Sequence, residues 1–332
     1  MYDNIILKWE WQDMPEIDFL GVVLCLSETT QYVHENGHTA YRGRVGGFQG
    51  YVNERVVKLD KGSLCKYWKG NNCDTLTLEE IEEALKSIGE ELGLPLEKAT
   101  VERIDFSTNL EMDYVPSCYF PLLGSYPRRT RLEQENGVYF NTKTKTSSLV
   151  FYDKIEEYKA KKYEIPEEYQ GKHLLRVELR LQKKAISQLK KDGVYATDLY
   201  DPSFFLRLLD LWHESYKKVV KVAESGMVLD ATTTKRLVEQ LASIGVLGMG
   251  MDNVLKNIKR NYQSKQISKV EKQRQGQRVK DLVSKNSMLQ NRGNNLIHEL
   301  DTKMAGVVRH YRKSLSDEKL KKAPCRYSGS AY

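Results

Sequence analysis

The chain has no hydrophobic run long enough to cross a bilayer. Its longest, Phe19 to Leu26, is interrupted by Gly21 and falls well below the ~20 residues a membrane helix needs. Cysteine is scarce: the five, Cys25, Cys65, Cys73, Cys118 and Cys325, are scattered, odd in number and never in a CxxC pair. That argues against a disulfide framework or a zinc knuckle and fits a reducing compartment. The opening Met1-Tyr2-Asp3-Asn4 has neither the basic n-region nor the apolar h-region of a secretory signal, so a cytoplasmic protein with no membrane partner is expected. Among the six histidines no two are separated by a single apolar residue, and His34 and His38 are four apart around Glu-Asn-Gly. Any metal bound here must therefore rest on carboxylates.

What is present is a folding composition. Of 332 residues, 40% are hydrophobic and 10% aromatic, with 20 tyrosines. That is enough to bury a substantial core and leaves room for about two domains. The net charge of +7 is unevenly spread. Lys256 to Lys322 holds 18 Lys or Arg against 6 Asp or Glu, an excess of +12 that leaves −5 for the rest of the chain. One basic segment on an otherwise acidic protein is the electrostatic footprint of a polyanion binder; the plainer reading is a solvated helical face.

The periodicities predict an α+β protein. Strands are expected over Ile5–Trp11, Leu20–Leu26, Val52–Lys58, Thr100–Asn109, Gly137–Thr142, Ser148–Tyr152 and Leu174–Gln182, where β-branched and aromatic residues alternate between turn signals. Leu76–Leu94 reads as a helix, with Thr77 and Glu80 in capping-box register and Gly93-Leu94-Pro95 at its end. After Asp201-Pro202 the spacing turns helical, over Phe204–Glu224, Thr233–Ile244 and Asn253–Arg260. We expect a catalytic α+β domain over 1–225, built on an antiparallel sheet with helices on one face, then a basic helical region over 226–322 and a tail over 323–332.

Two stretches repeat one pattern: Arg103-Ile104-Asp105 and Arg176-Val177-Glu178. Residues i and i+2 of a strand share a face, so each pair stands opposite its apolar neighbours, and Arg180 continues the second row. Carboxylates suit hard cations, which makes Asp105 and Glu178 candidate metal ligands. The arginines Arg103, Arg176 and Arg180 would hold phosphate; ordinary cross-strand salt bridges are the competing reading. Between the two strands lies Leu149-Val150-Phe151-Tyr152-Asp153-Lys154. Tyr152 is the candidate nucleophile toward a phosphodiester, and Lys154 is expected to lower its pKa from about 10. Asp153 points to the other face, so its use as a third ligand requires a bulge or a strand end; Tyr158 and Tyr163 are alternate tyrosines. The segment Gly62–Asn72 suits a loop in which Lys66, Asn71, Asn72 and nearby backbone meet phosphate while Tyr67 or Trp68 stacks on a base. His173 and Arg176 also spell HxxR, a box that tyrosine recombinases carry on a helix.

In order, GSLxKxxxGNN (Gly62 to Asn72), a helix, VxRIDFxTN (Val101 to Asn109), LVFYDKIEE (Leu149 to Glu157) and LLRVELRL (Leu174 to Leu181) resemble the filamentous-phage gene-II/gene-X replication initiators. They are similar also to the rolling-circle initiators of small plasmids. The resemblance spans about 60–220 and implies a relaxase-like nickase that recognises a double-stranded replication origin and binds single-stranded DNA. It implies cleavage of one strand through a tyrosine that keeps the 5′ phosphate, and rejoining of the displaced circle. It further implies Mg²⁺ or Mn²⁺, a host helicase and DNA polymerase as partners, and possible homodimers. Residue by residue it carries the nucleophile to Tyr152 and the acids to Asp105 and Glu178. The alternatives are a tyrosine recombinase using His173, Arg176 and Tyr216, which requires a helix at 173–176, and a non-enzymatic origin- or operator-binding regulator.

Overall fold

The structure is a computed structural model that describes residues 1–33, 35, 37–222, 251–285, 290–322 and isolated positions between 235 and 246. His34, Cys325, the expected boundary near 225, most of the helix expected over 233–244 and the tail from 323 lie outside the described residues. No described helix is long and apolar enough to cross a membrane.

The chain builds one ten-stranded sheet. In chain order the strands are β1 (Tyr2–Glu10), β2 (Ser27–Val33), β3 (Thr39–Val45), β4 (Phe48–Asn53), β5 (Val56–Ser63), β6 (Thr100–Met112), β7 (Arg129–Gln134), β8 (Gly137–Thr142), β9 (Ser147–Asp153) and β10 (His173–Gln182). In space they run β2-β3-β4-β5-β1-β6-β10-β9-β8-β7, with every neighbouring pair antiparallel. The helices are α1 (Phe19–Leu24), α2 (Leu64–Lys69), α3 (Leu78–Leu92), α4 (Lys154–Ala160), α5 (Lys183–Ile186), α6 (Pro202–Lys217), α7 (Met251–Gln263), α8 (Lys269–Lys285) and α9 (Gln290–Lys322).

Period-2 alternation decides which side of the sheet is wet. Leu175, Val177, Leu179 and Leu181 of β10 lie with Ile104 and Phe106 of β6 and Leu149 and Phe151 of β9 in one continuous core. Helices α3, α6 and α9 cover that side, each through an apolar stripe. Trp212 of α6 is fully buried and donates its indole N–H to the Val177 carbonyl at 3.2 Å. Phe205 packs edge-on against Tyr2 and Phe106, with ring centroids 6.1 and 5.4 Å away. The opposite side carries the polar residues; the sheet is antiparallel as expected and these three helices share one face, while the short α4 borders the polar face beside Tyr152.

Three local readings change. Leu20–Leu26 is not a strand: the Asp18 carboxylate accepts from Leu20 N and Gly21 N and starts the short helix α1, so a cap outweighs β-propensity. Val52–Lys58 is two strands, because Asn53 Oδ1 accepts from Arg55 N and Val56 N and turns the chain into a hairpin. Gly62–Asn72 is no open loop: Ser63 caps α2, which ends at Gly70 with φ 76°. The α3 reading holds, with the Thr77–Glu80 capping box formed and Gly93 at φ 63°.

The basic C-terminal region divides in two. Helices α7 and α8 pair with each other and keep Lys256, Lys259, Arg260, Lys269, Arg274 and Lys280 exposed. Helix α9 instead belongs to the first domain's core, burying Leu300, Met304, Val308 and Leu315. Its Glu299 accepts from Asp113 N at 2.8 Å, Asp301 accepts from the Tyr216 hydroxyl, and Arg312 pairs with Asp210 at 2.6 Å. The α+β core therefore does not end near residue 225. A chain cut there loses this helix, and cutting should lower the urea midpoint of the sheet domain. Met304→Ala alone should cost about 2–5 kcal/mol. An unchanged midpoint in both would contradict the placement of α9.

Candidate active site

On the polar face, β6 and β10 lie side by side with Arg180 opposite Asp105 and Glu178 opposite Ser107, and β9 brings Tyr152 opposite Arg176. Six charged side chains meet there, three carboxylates and three guanidinium groups. Arg176 is the innermost. It pairs with Asp3 at 2.6 Å and Glu178 at 3.1 Å and donates to Ser107 Oγ, Asn109 Oδ1 and the Asn72 carbonyl at 2.7, 3.2 and 2.9 Å. Arg180 holds the second Glu178 oxygen at 2.5 Å, and Arg103 clamps both oxygens of Asp105 at 2.9 and 2.7 Å. The three arginines are thus unequal: the side chain of Arg176 is 3% exposed, those of Arg103 and Arg180 29% and 31%. Arg176, expected to contact DNA, is instead consumed by internal partners; Arg103 and Arg180 stand at the rim.

Tyr152 is largely buried, and its hydroxyl donates to Glu178 Oε2 at 3.3 Å. It lines a cleft of about 450 Å³ together with Tyr139, Glu157, Lys161 and Arg180. Burial, then the neighbouring Glu178 carboxylate, push its pKa well above the ordinary value. Lys154, the first residue of α4, lies 5.8 Å from the centre of the Tyr152 ring and pairs with Glu157 at 2.6 Å. Its own pKa falls to about 8 through burial and repulsion from Arg176. The expected activation of the phenol by Lys154 is therefore not what the resting geometry provides; the group in contact with the phenol is Glu178.

The remaining expected residues separate. Asp153 sits on the Leu175 side of the sheet, where it accepts from Ile155 N and Glu156 N and caps α4. It does not meet Asp105 and Glu178. Tyr67 cannot stack on a base: its ring fills the space beside Gly46 and Phe48, and its hydroxyl bonds to Ser87 at 2.9 Å. Asn71 caps its own turn through Cys73 N and Asp74 N. The Asn72 amide donates to Asp3 at 3.1 Å, and its carbonyl accepts from Arg176. Lys66 lies 3.7 Å over the ring of Tyr163, which is 46% exposed, whereas Tyr158 is buried and donates to Asn72 Oδ1 at 2.8 Å. His173 and Arg176 are on strand β10 and Tyr216 is buried, so the helix that a recombinase HxxR box needs is absent.

Asp3 and Asn4 complete the site, and sequence reasoning missed both. Asn4 donates to Asp105 Oδ2 at 3.2 Å, and Asp3 accepts from Ser63, Asn72 and Arg176. Only the long-range pairing of β1 beside β6 brings them in. For Asp3 burial is overcome by Arg176, Lys154 and the Ser63 and Asn72 hydrogen bonds, which hold its carboxyl down to about 2.

Two carboxylates without histidine match a hard cation in kind but not in arrangement. All four oxygens of Asp105 and Glu178 already accept from arginine. No cluster of three or more His, Cys, Asp or Glu fit to hold a metal ion occurs among the described residues. As arranged, the site does not fit a divalent cation.

Burial and then Glu178 raise the Asp105 carboxyl to about 6, above its ordinary value of about 3.9. Between those values the native state holds a proton that the unfolded chain has lost. The stabilisation present below about pH 4 is therefore lost as pH rises toward about 6. Asp105→Asn cannot titrate, so in urea unfolding its stability relative to the parent should climb across that window and then level off. A pH-independent difference would contradict the raised carboxyl.

Among curated proteins the chain finds no match. Residues 29–214, more than half of the chain, match the family model for the N-terminal region of the phage replication-associated protein encoded by gene II. The clustered Arg-x-acid strands, the tyrosine strand between them and this match together place the chain in the family of filamentous-phage gene-II type replication initiators.

Proposed function

We propose that the protein starts rolling-circle replication by nicking one strand of a double-stranded origin with Tyr152 and later rejoins the displaced strand. The observation that carries this reading is Tyr152, which lines an open cleft and donates its hydroxyl to a buried carboxylate. As the phenol oxygen attacks phosphorus, its proton passes to Glu178. The P–O3′ bond breaks and the departing 3′ oxygen takes a proton from solvent water, leaving a 5′-phosphotyrosine and a free 3′ hydroxyl for a host polymerase to extend behind a host helicase. Attack by a later 3′ hydroxyl on the phosphotyrosine reverses the chemistry and returns the proton to Tyr152. The covalent link conserves the energy of the phosphodiester, so rejoining needs no nucleotide cofactor.

Arg103 and Arg180, partly exposed at the rim, hold the scissile phosphate by charge-assisted hydrogen bonds. Lys154 adds positive charge beside the tyrosine as negative charge develops on the attacked phosphate. Mg²⁺ or Mn²⁺ would have to displace Arg103 or Arg180 from the carboxylates, and no step above depends on either ion. Away from the site, the exposed cations of α7 and α8 suit sequence-independent contact with duplex phosphates, a term that falls steeply with salt.

The test is supercoiled origin plasmid incubated with protein, with and without EDTA, and resolved after SDS and protease treatment. The parent should yield open circles with protein on the 5′ end. Tyr152→Phe should yield none, while Glu178→Gln should slow nicking about 10²–10⁴-fold with DNA binding retained. Nicking that survives Tyr152→Phe removes this nucleophile. Binding without nicking by the parent favours an origin-binding regulator instead.

A further inference from the structure

The polar face does not end at the active site. Cross-strand pairs carry one row of side chains over five strands: Thr30 of β2, Arg42 of β3, Tyr51 of β4, Lys58 of β5 and Lys8 of β1. From Lys8 the same face passes through Ile6, which pairs with Arg103, and so into the cluster around Tyr152. Along this row the Arg42 guanidinium lies over two rings, 5.3 Å from the centre of Tyr32 and 5.8 Å from that of Tyr51. Arg42 and Lys61 make no ion pair among the described residues, and Tyr32 is 45% exposed. Two shallow clefts open on this surface, about 340 and 230 Å³, and Arg42 and Lys61 line both.

We propose that this half of the sheet is a platform for single-stranded DNA, along which the strand flanking the scissile phosphate is laid out. The proposal rests on the nicking function above and deepens it. Three features favour a single strand. Aromatic rings with solvent-facing area beside unpaired cations match a chain of unstacked bases on a phosphate backbone, where ring and base stack face to face. The planar Arg42 guanidinium, held near two rings, has the fork geometry for a bidentate phosphate contact. The platform is also continuous, in one sheet face, with the tyrosine that would hold the strand end. From Arg42 on β3 to Tyr152 on β9 is six strand spacings, about 29 Å at ~4.8 Å each. A stacked single strand covers that in roughly eight nucleotides.

The experiment is fluorescence anisotropy of the full chain with labelled oligothymidylate of about 16 nucleotides, enough to span that distance at the ~3.4 Å rise of a stacked strand, and with a duplex of equal length. Arg42→Ala and Tyr51→Ala should each weaken single-strand binding about tenfold, a loss of about 1.4 kcal/mol, and leave duplex binding unchanged. Tyr51→Phe keeps the ring and should bind as the parent does, which separates stacking from misfolding. Unchanged single-strand affinity in both alanine variants overturns the platform, as does an equal loss on duplex. Because binding is read without cleavage, the two readings fail separately. Selective loss in a parent that nicks nothing keeps the platform and removes the nickase. Nicking by Tyr152 with unaltered single-strand affinity in both variants does the reverse.

Discussion

The site depends on one buried guanidinium. Arg176 ties together parts of the chain that are far apart in sequence: Asp3 of the first strand, Asn72 of the segment after α2, Ser107 and Asn109 of β6, and Glu178 of its own strand. Removing one partner of a buried ion pair typically costs about 3–5 kcal/mol, because the remaining charge is left in low dielectric. Arg176 also fixes the Glu178 oxygen that receives the Tyr152 hydroxyl. Fold and proposed chemistry thus share one anchor.

Around that anchor the charges balance, three carboxylates against three guanidinium groups. The balance explains how so many ionisable groups lie on one sheet face with few exposed. It also divides the arginines by role. Arg176 has spent its donors on the protein, whereas Arg103 and Arg180 reach the rim. On the proposed reading, a phosphate arriving there competes with Asp105 and Glu178 for the same donors. DNA binding then loosens the hold on Glu178, which becomes a better acceptor for the tyrosine proton at the moment it is needed.

Much of this was legible in the sequence, for physical reasons that differ by element. The strands around Asp105, Tyr152 and Glu178 alternate so cleanly that side-chain period 2 alone assigns their faces, and the Thr77–Glu80 capping box marks its helix. Asp3, Asn4 and the internal use of Asn72 were not legible, because they depend on β1 pairing with β6 across about a hundred residues. Tyr67 looked exposed because its loop-like composition hides a short helix whose ring packs on Phe48. Helix α9 looked like part of a basic appendage because net charge dominates its composition; the apolar stripe of Leu300, Met304, Val308 and Leu315 is what the fold uses.

The central claim is that Tyr152, rather than any of the other tyrosines, becomes joined to DNA. Trapping the covalent complex on origin DNA, digesting both components and mapping the nucleotide-bearing peptide by mass spectrometry tests it directly. The account predicts a 5′-phosphonucleotide on Tyr152. A modified Tyr158 or Tyr163 with Tyr152 unmodified would contradict it.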